Sequence, residues 1–182
     1  RSFFDMQDQF PEETIRRLGA AYYGACTHMD RQVGRILDQL ERLGLAENTR
    51  IIYSSDHGES RGARGLYGKF TMYEESAGVP LLMAGPDVPR GHTVSTPVTL
   101  VDIYPTILET VGVSAGMDSS DRPGRSLYGF LKDEDPGRVA FGEYHALGCR
   151  HGFFFVRQDR YKLVYYVEGP PQLFDLETDP EE

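Results

Sequence analysis

The chain has 182 residues, 40% of them hydrophobic, enough for one sizeable core in a folded globular protein. A net charge of −9 excludes the basic stripe that a phosphate backbone requires, so nucleic acid is not expected as a partner and an anionic substrate must be held by local positive groups. No apolar run approaches the roughly 20 residues that cross a bilayer, so no membrane partner is expected, and Arg1-Ser2-Phe3-Phe4-Asp5 carries no signal-peptide pattern.

From Pro11 the residues Ile15, Leu18, Tyr22, Cys26, Met29, Val33, Ile36, Leu40 and Leu43 recur at steps of three and four, which predicts one long amphipathic helix. Pro11 suits its first turn, Glu12 and Glu13 complement the positive end of its dipole, and Gly44 supplies a left-handed stop. His28 lies off the stripe and reads as an ordinary helix-surface or groove histidine; Cys26 and Cys149 have no metal-binding spacing, and a disulfide between them is not expected.

Residues 50–55 read as a buried strand, which places Asp56 and His57 where it runs out, the end at which open α/β sheets bind ligands. Asp56 offers oxygen and His57 nitrogen to a divalent cation. Lys69 brings a mobile positive charge suited to a tetrahedral oxyanion. The same three residues are also compatible with an Asp/His turn beside a solvated lysine. Between them, residues 58–68 hold four glycines with Glu59, Arg61 and Arg64, a loop able to approach a ligand closely. Arg61 and Arg64 either clamp a carboxylate on the substrate or form a solvated loop face.

Thr71-x-x-Glu74 predicts a capped short helix, and residues 79–84 a second buried strand. After the turn-rich residues 85–91, Thr99-x-x-Asp102 repeats the capping box ahead of a helix with Pro105 in its first turn, so Asp102 reads as a helix-start residue. Residues 114–125 read as a mobile surface loop and 126–131 as a short helix. Four strand candidates follow at 139–145, 152–157, 160–167 and 172–176, with Gln158-Asp159 turning between the second and third; they predict an antiparallel sheet. The organisation expected is a part of an α/β domain over 1–135 and a small antiparallel subdomain over 136–182.

The run Arg50-Ile51-Ile52-Tyr53-Ser54-Ser55-Asp56-His57-Gly58, then Gly65 through Ser76 with Lys69, then Val79-Pro80-Leu81-Leu82, resembles the C-terminal half of a sulfatase of the alkaline phosphatase superfamily. Further stations resemble that family in order: Tyr22-Tyr23-Gly24-Ala25, residues 30–34, residues 100–106, Gly124-Arg125-Ser126-Leu127, Arg160-Tyr161-Lys162, and Leu173-Phe174-Asp175-Leu176 with Asp179-Pro180-Glu181. The motifs are most similar to arylsulfatase K-like and choline-sulfatase-like members. The resemblance implies an alkaline phosphatase-like sandwich, a mixed and mostly parallel sheet with flanking helices, followed by the small antiparallel four-stranded sheet. It implies Asp56 and His57 as metal ligands, Ca²⁺ first with Mg²⁺ or Mn²⁺ as alternatives, and Lys69 as the neutraliser of the ester's negative oxygen. It also brings in Glu143-Tyr144-His145, whose histidine either contacts substrate at the cleft mouth or is a sheet-edge histidine. For Asp30 it implies a bond to nearby backbone rather than to substrate. The family's formylglycine nucleophile arises in a Cys/Ser-x-Pro/Ala-x-Arg motif, which neither Cys26 nor Cys149 fits; the chain is therefore expected to begin inside a longer protein that supplies it. The substrate expected is a small sulfate ester of a sugar or aryl group. A phosphonate monoester or phosphodiester hydrolase on the same scaffold, and a non-catalytic interaction module, are the other readings, and homo-oligomers fit any of them.

Overall fold

The computed structural model describes residues 10–113, 123–132, 134–147 and 149–182. They form two compact units, one running to Val88 and one from Pro89.

In the first unit, helix α1 spans Glu12–Arg42. Pro11 takes the N-cap position and Glu12 and Glu13 fill the first turn, pairing with Arg16 and Arg17 one turn on at 2.7 and 2.6 Å. The helix closes as its periodicity predicts. The Leu45 N–H donates to the Leu40 carbonyl and the Gly44 N–H to that of Glu41, with Gly44 left-handed at φ 67°. No α1 residue is buried, and Ile15, Leu18, Met29, Ile36 and Leu43 stand exposed along its apolar stripe. His28 is likewise exposed.

Strand β1 (Ile51–Ser54) pairs antiparallel with β2 (Leu81–Ala84), Ile51 facing Ala84 and Ser54 facing Leu81. No parallel ladder lies among the described residues; of the mixed sheet that the resemblance implies, this unit carries one antiparallel pair. Between the strands the chain makes a necked loop. The Ser60 N–H donates to the Gly68 carbonyl at 2.8 Å and the Gly62 N–H to that of Leu66 at 2.7 Å. Arg61, Arg64 and Phe70 take left-handed backbone at φ 50°, 54° and 81°, a costly conformation for side chains of that size. The short helix α2 is Glu74–Ala77, capped at Tyr73 with no side-chain hydrogen bond. The capping box expected from Thr71 is therefore not formed; Thr71 is buried, and the helix begins at Glu74 itself.

The second unit is built on a buried carboxylate. Asp102, fully buried, accepts from the Thr99 N–H (2.8 Å), the Arg125 N–H (2.8 Å) and, with both oxygens, the buried Arg138 guanidinium (2.7 Å each). Helix α3 (Ile103–Thr110) follows directly, and the Thr106 hydroxyl, donating to the Asp102 carbonyl at 2.6 Å, accepts the Leu127 N–H at 2.9 Å. Asp102 thus is the helix-start residue expected, and more: it ties α3 to the segment entering the sheet. That tie holds α3 against the residues that lead into β3. A single 3₁₀ turn, Leu127–Gly129, stands where a helix to Leu131 is expected. The mobile loop expected at 114–125 lies outside the described residues except for its last three.

Strands β3 (Val139–Tyr144), β4 (Phe153–Gln158), β5 (Tyr161–Tyr166) and β6 (Gln172–Asp175) form one antiparallel sheet in sequence order. Their period-two pattern sends Ala140, Phe153, Val164, Tyr166 and Phe174 to a buried face, leaving Val139, Phe141, Leu163 and Tyr165 exposed on the other. Gln158 pairs with Tyr161, so the turn residues are Asp159 and Arg160, with Asp159 left-handed at φ 50°, one position beyond the expected pair. Lys162 is fully buried and reaches Glu182 at 2.8 Å, while Arg160 reaches Asp175 at 3.3 Å.

Candidate active site at the end of strand β1

Strand β1 ends at Ser54, and the next three residues turn their side chains on themselves. The Ser55 hydroxyl donates to the His57 carbonyl at 2.8 Å, and Asp56 Oδ1 accepts the His57 N–H at 3.1 Å. His57 Nδ1 sits 2.9 Å from the Gly58 carbonyl, and Lys69 Nζ sits 2.6 Å from His57 Nε2. An ammonium only donates, so Nε2 is the acceptor and Nδ1 carries the proton that goes to Gly58. The imidazole therefore presents a lone pair outward at Nε2, 3.4 Å from Asp56 Oδ2, in the tautomer a metal ligand needs. The Asp56 side chain is 84% exposed, so its oxygens are open to a ligand.

Gly58 fixes this corner. Its N–H donates to the Ser76 carbonyl at 2.8 Å, and a Cβ there would run into the Glu75 carbonyl. Asp56, His57 and Lys69 thus come together at the end of β1.

The two loop arginines are placed differently. Arg64 Nη1 lies 2.9 Å from both Glu75 oxygens, and its guanidinium stacks 4.0 Å from the Tyr73 ring centre. Arg61 is exposed and rests on α1, 4.6 Å from the Tyr23 ring centre and 5.2 Å from that of Tyr22. The Tyr23 hydroxyl is the largest influence holding its pKa above the ordinary range. His145 belongs to the second unit, at the end of the edge strand β3. Its Nε2 is 3.2 Å from Glu143 Oε2, and its ring meets that of Phe154 edge-on at 4.8 Å.

Sequence reasoning passes over two acidic side chains here, Glu59 and Glu75. Glu59 Oε1 accepts the Gly68 N–H at 2.6 Å and the Arg61 N–H at 3.2 Å. Each sits among recognised motif residues, but its partner lies nine or eleven positions away, beyond any local spacing rule. Among the described residues no group of three or more His, Cys, Asp or Glu is gathered to hold a metal, so this corner offers two donors, one oxygen and one nitrogen. No helix of the described residues is long and apolar enough to cross a membrane.

Comparison with known proteins matches these elements to one family. The sulfatase family model covers residues 1–113, and the C-terminal model of N-sulphoglucosamine sulphohydrolase covers 62–182. Arylsulfatase K of Gallus gallus is 36% identical over 186 residues, covering 96% of this chain and 34% of the relative. A protein solved with its substrate D-glucosamine-2-N,6-O-disulfate superposes with a TM-score of 0.75 at 30% identity, over 84% of this chain and 32% of that one. The phosphonate monoester hydrolase of Agrobacterium radiobacter gives 0.80 at 30% identity, over 96% and 38%. The chain spans about a third of the length of these relatives. With one family model running through the Asp56, His57 and Lys69 corner and another through the four-stranded sheet, the chain belongs to the sulfatase family.

Proposed function

We propose that this chain is the C-terminal part of a metal-dependent sulfuric ester hydrolase. The observation that carries the reading is the convergence at His57 Nε2: Asp56 oxygen at 3.4 Å, Lys69 ammonium at 2.6 Å, and the ring held in the acceptor tautomer by Gly58. Asp56 and His57 would hold a divalent cation, which in such a site supplies Lewis-acid charge beside the ester oxygens. The oxygen donor favours Ca²⁺ or Mg²⁺ and the imidazole admits Mn²⁺. Lys69 places its ammonium against the ester oxygen on which negative charge grows as the bridging bond breaks. A formylglycine nucleophile and the remaining ligands are contributed by residues outside this chain. His145, steadied by Glu143, and Arg61 are the candidates for touching the organic part of the substrate, a sugar or aryl sulfate. Arg64 is the weaker candidate, because Glu75 and Tyr73 already engage its guanidinium.

Phosphonate ester hydrolysis on the same residues is the second reading, supported by the phosphonate monoester hydrolases among the structural relatives. A non-catalytic module is the third. Two experiments on the complete protein separate them. Parallel turnover of an aryl sulfate and an aryl phosphonate ranks the first two, with the sulfate preferred. Calcium titration of wild type and Asp56→Ala tests the site itself: one cation bound by the wild type and lost with hydrolysis in the variant is expected, and unchanged activity in Asp56→Ala would remove the metal-ligand assignment.

A further inference from the structure

We propose that Glu59 is a positioning residue for Lys69, acting through the Gly68 amide. This inference rests on the role proposed for Lys69. The Glu59 carboxylate reaches across the neck of the loop and takes the Gly68 N–H at 2.6 Å, a short charge-assisted bond to the residue immediately before Lys69. The same oxygen takes the Arg61 N–H at 3.2 Å on the other side of the neck. One side chain thus clasps both strands of the loop, beside the backbone bond from Ser60 to the Gly68 carbonyl at 2.8 Å.

The clasp matters because the backbone of this loop is strained despite its internal hydrogen bonds. Arg61, Gly62, Arg64, Gly65, Gly68 and Phe70 all lie at positive φ, and three of them carry side chains that disfavour it. Such a backbone persists only where surrounding bonds impose it. A lysine stem has four flexible carbons, so the place of Nζ within hydrogen-bond reach of His57 depends on where the main chain at 69 is fixed. Displacement of a positioned group by about 1 Å can cost on the order of 10²-fold in rate.

The test is a set of variants in the complete protein, assayed for kcat, KM and melting temperature. Glu59→Ala is expected to lower kcat by about 10- to 100-fold with KM held within about twofold, the signature of an interaction used in the transition state. Glu59→Gln keeps an oxygen acceptor of the same reach and should retain kcat within about threefold, whereas Glu59→Asp keeps the charge but loses the reach and should fall with the alanine variant. In the Lys69→Ala background, adding Glu59→Ala should change kcat by less than about twofold, because the effect passes through the missing lysine. A full-sized further loss in that background would overturn the proposal, as would wild-type turnover in Glu59→Ala or Glu59→Asp. If Lys69→Ala alone is fully active, the role of Lys69 itself fails and the positioning role with it. If Lys69→Ala falls while the Glu59 variants do not, only the positioning role fails.

Discussion

Lys69 and a metal ion would share one lone pair. His57 Nε2 accepts from the Lys69 ammonium at 2.6 Å, and it is also the atom that faces Asp56 Oδ2. If His57 Nε2 were to hold a cation, Lys69 would lose this acceptor and its ammonium would be free for an ester oxygen, so in the proposed role the lysine would serve turnover rather than metal affinity. Lys69→Ala is expected to lower kcat by about 10²–10³, roughly 3–4 kcal/mol, with little change in melting temperature. Calcium affinity, read by isothermal titration, should hold or rise in that variant as a competing positive charge is removed, while His57→Ala should weaken it at least about tenfold. A lysine that merely decorates the loop would leave kcat within about threefold.

At the scale of elements, the Asp102 carboxylate joins the start of α3 to the entry of β3. Removing it in Asp102→Ala strands the buried Arg138 guanidinium and frees two backbone N–H groups, a loss of about 3–5 kcal/mol expected in chemical denaturation. Replacing the surface-exposed Asp87, which pairs with Arg50 at 2.7 Å, should cost under about 1 kcal/mol in the same measurement. The contrast shows what a sequence displays and what it withholds. Helix α1, strands β1 and β2 and the four strands of the sheet are legible because periodicity and turn residues are local signals. The corner at Asp56 and His57 is legible because its three residues fall in a recognisable order. Arg138 is not, because nothing near it in sequence announces a carboxylate 36 positions earlier. Thr71 misleads for the opposite reason: its spacing to Glu74 fits a cap, yet the left-handed turn at Phe70 delivers Thr71 buried ahead of a helix that starts at Glu74.

At the scale of the molecule, two apolar surfaces stand uncovered among the described residues, the stripe along α1 and the outer face of the sheet with Val139, Phe141, Leu163 and Tyr165. Surfaces of this kind invite association. The 182-residue polypeptide by itself is therefore expected to elute from size exclusion as dimers or larger species. Ile36→Glu combined with Leu163→Glu should shift it toward monomer, as read by light scattering. With two donors toward a cation that takes about 6–8 oxygens, the same polypeptide should leave an aryl sulfate unhydrolysed. A monodisperse monomer that turns the ester over would refute both expectations.

The strand order of the sheet has a further consequence. Because β3, β4, β5 and β6 each pair with the next strand in sequence, every ladder closes over a short span of chain. Loop-closure entropy is small for such contacts, and topologies made of them reach their transition state quickly. The last quarter of this chain is thus kinetically self-sufficient in a way the long span from β1 to β2 is not. In pulse-labelled hydrogen exchange during refolding, amides of β4 and β5 should gain protection before those of β1 and β2, with the sheet in place while the corner at the end of β1 is still being assembled.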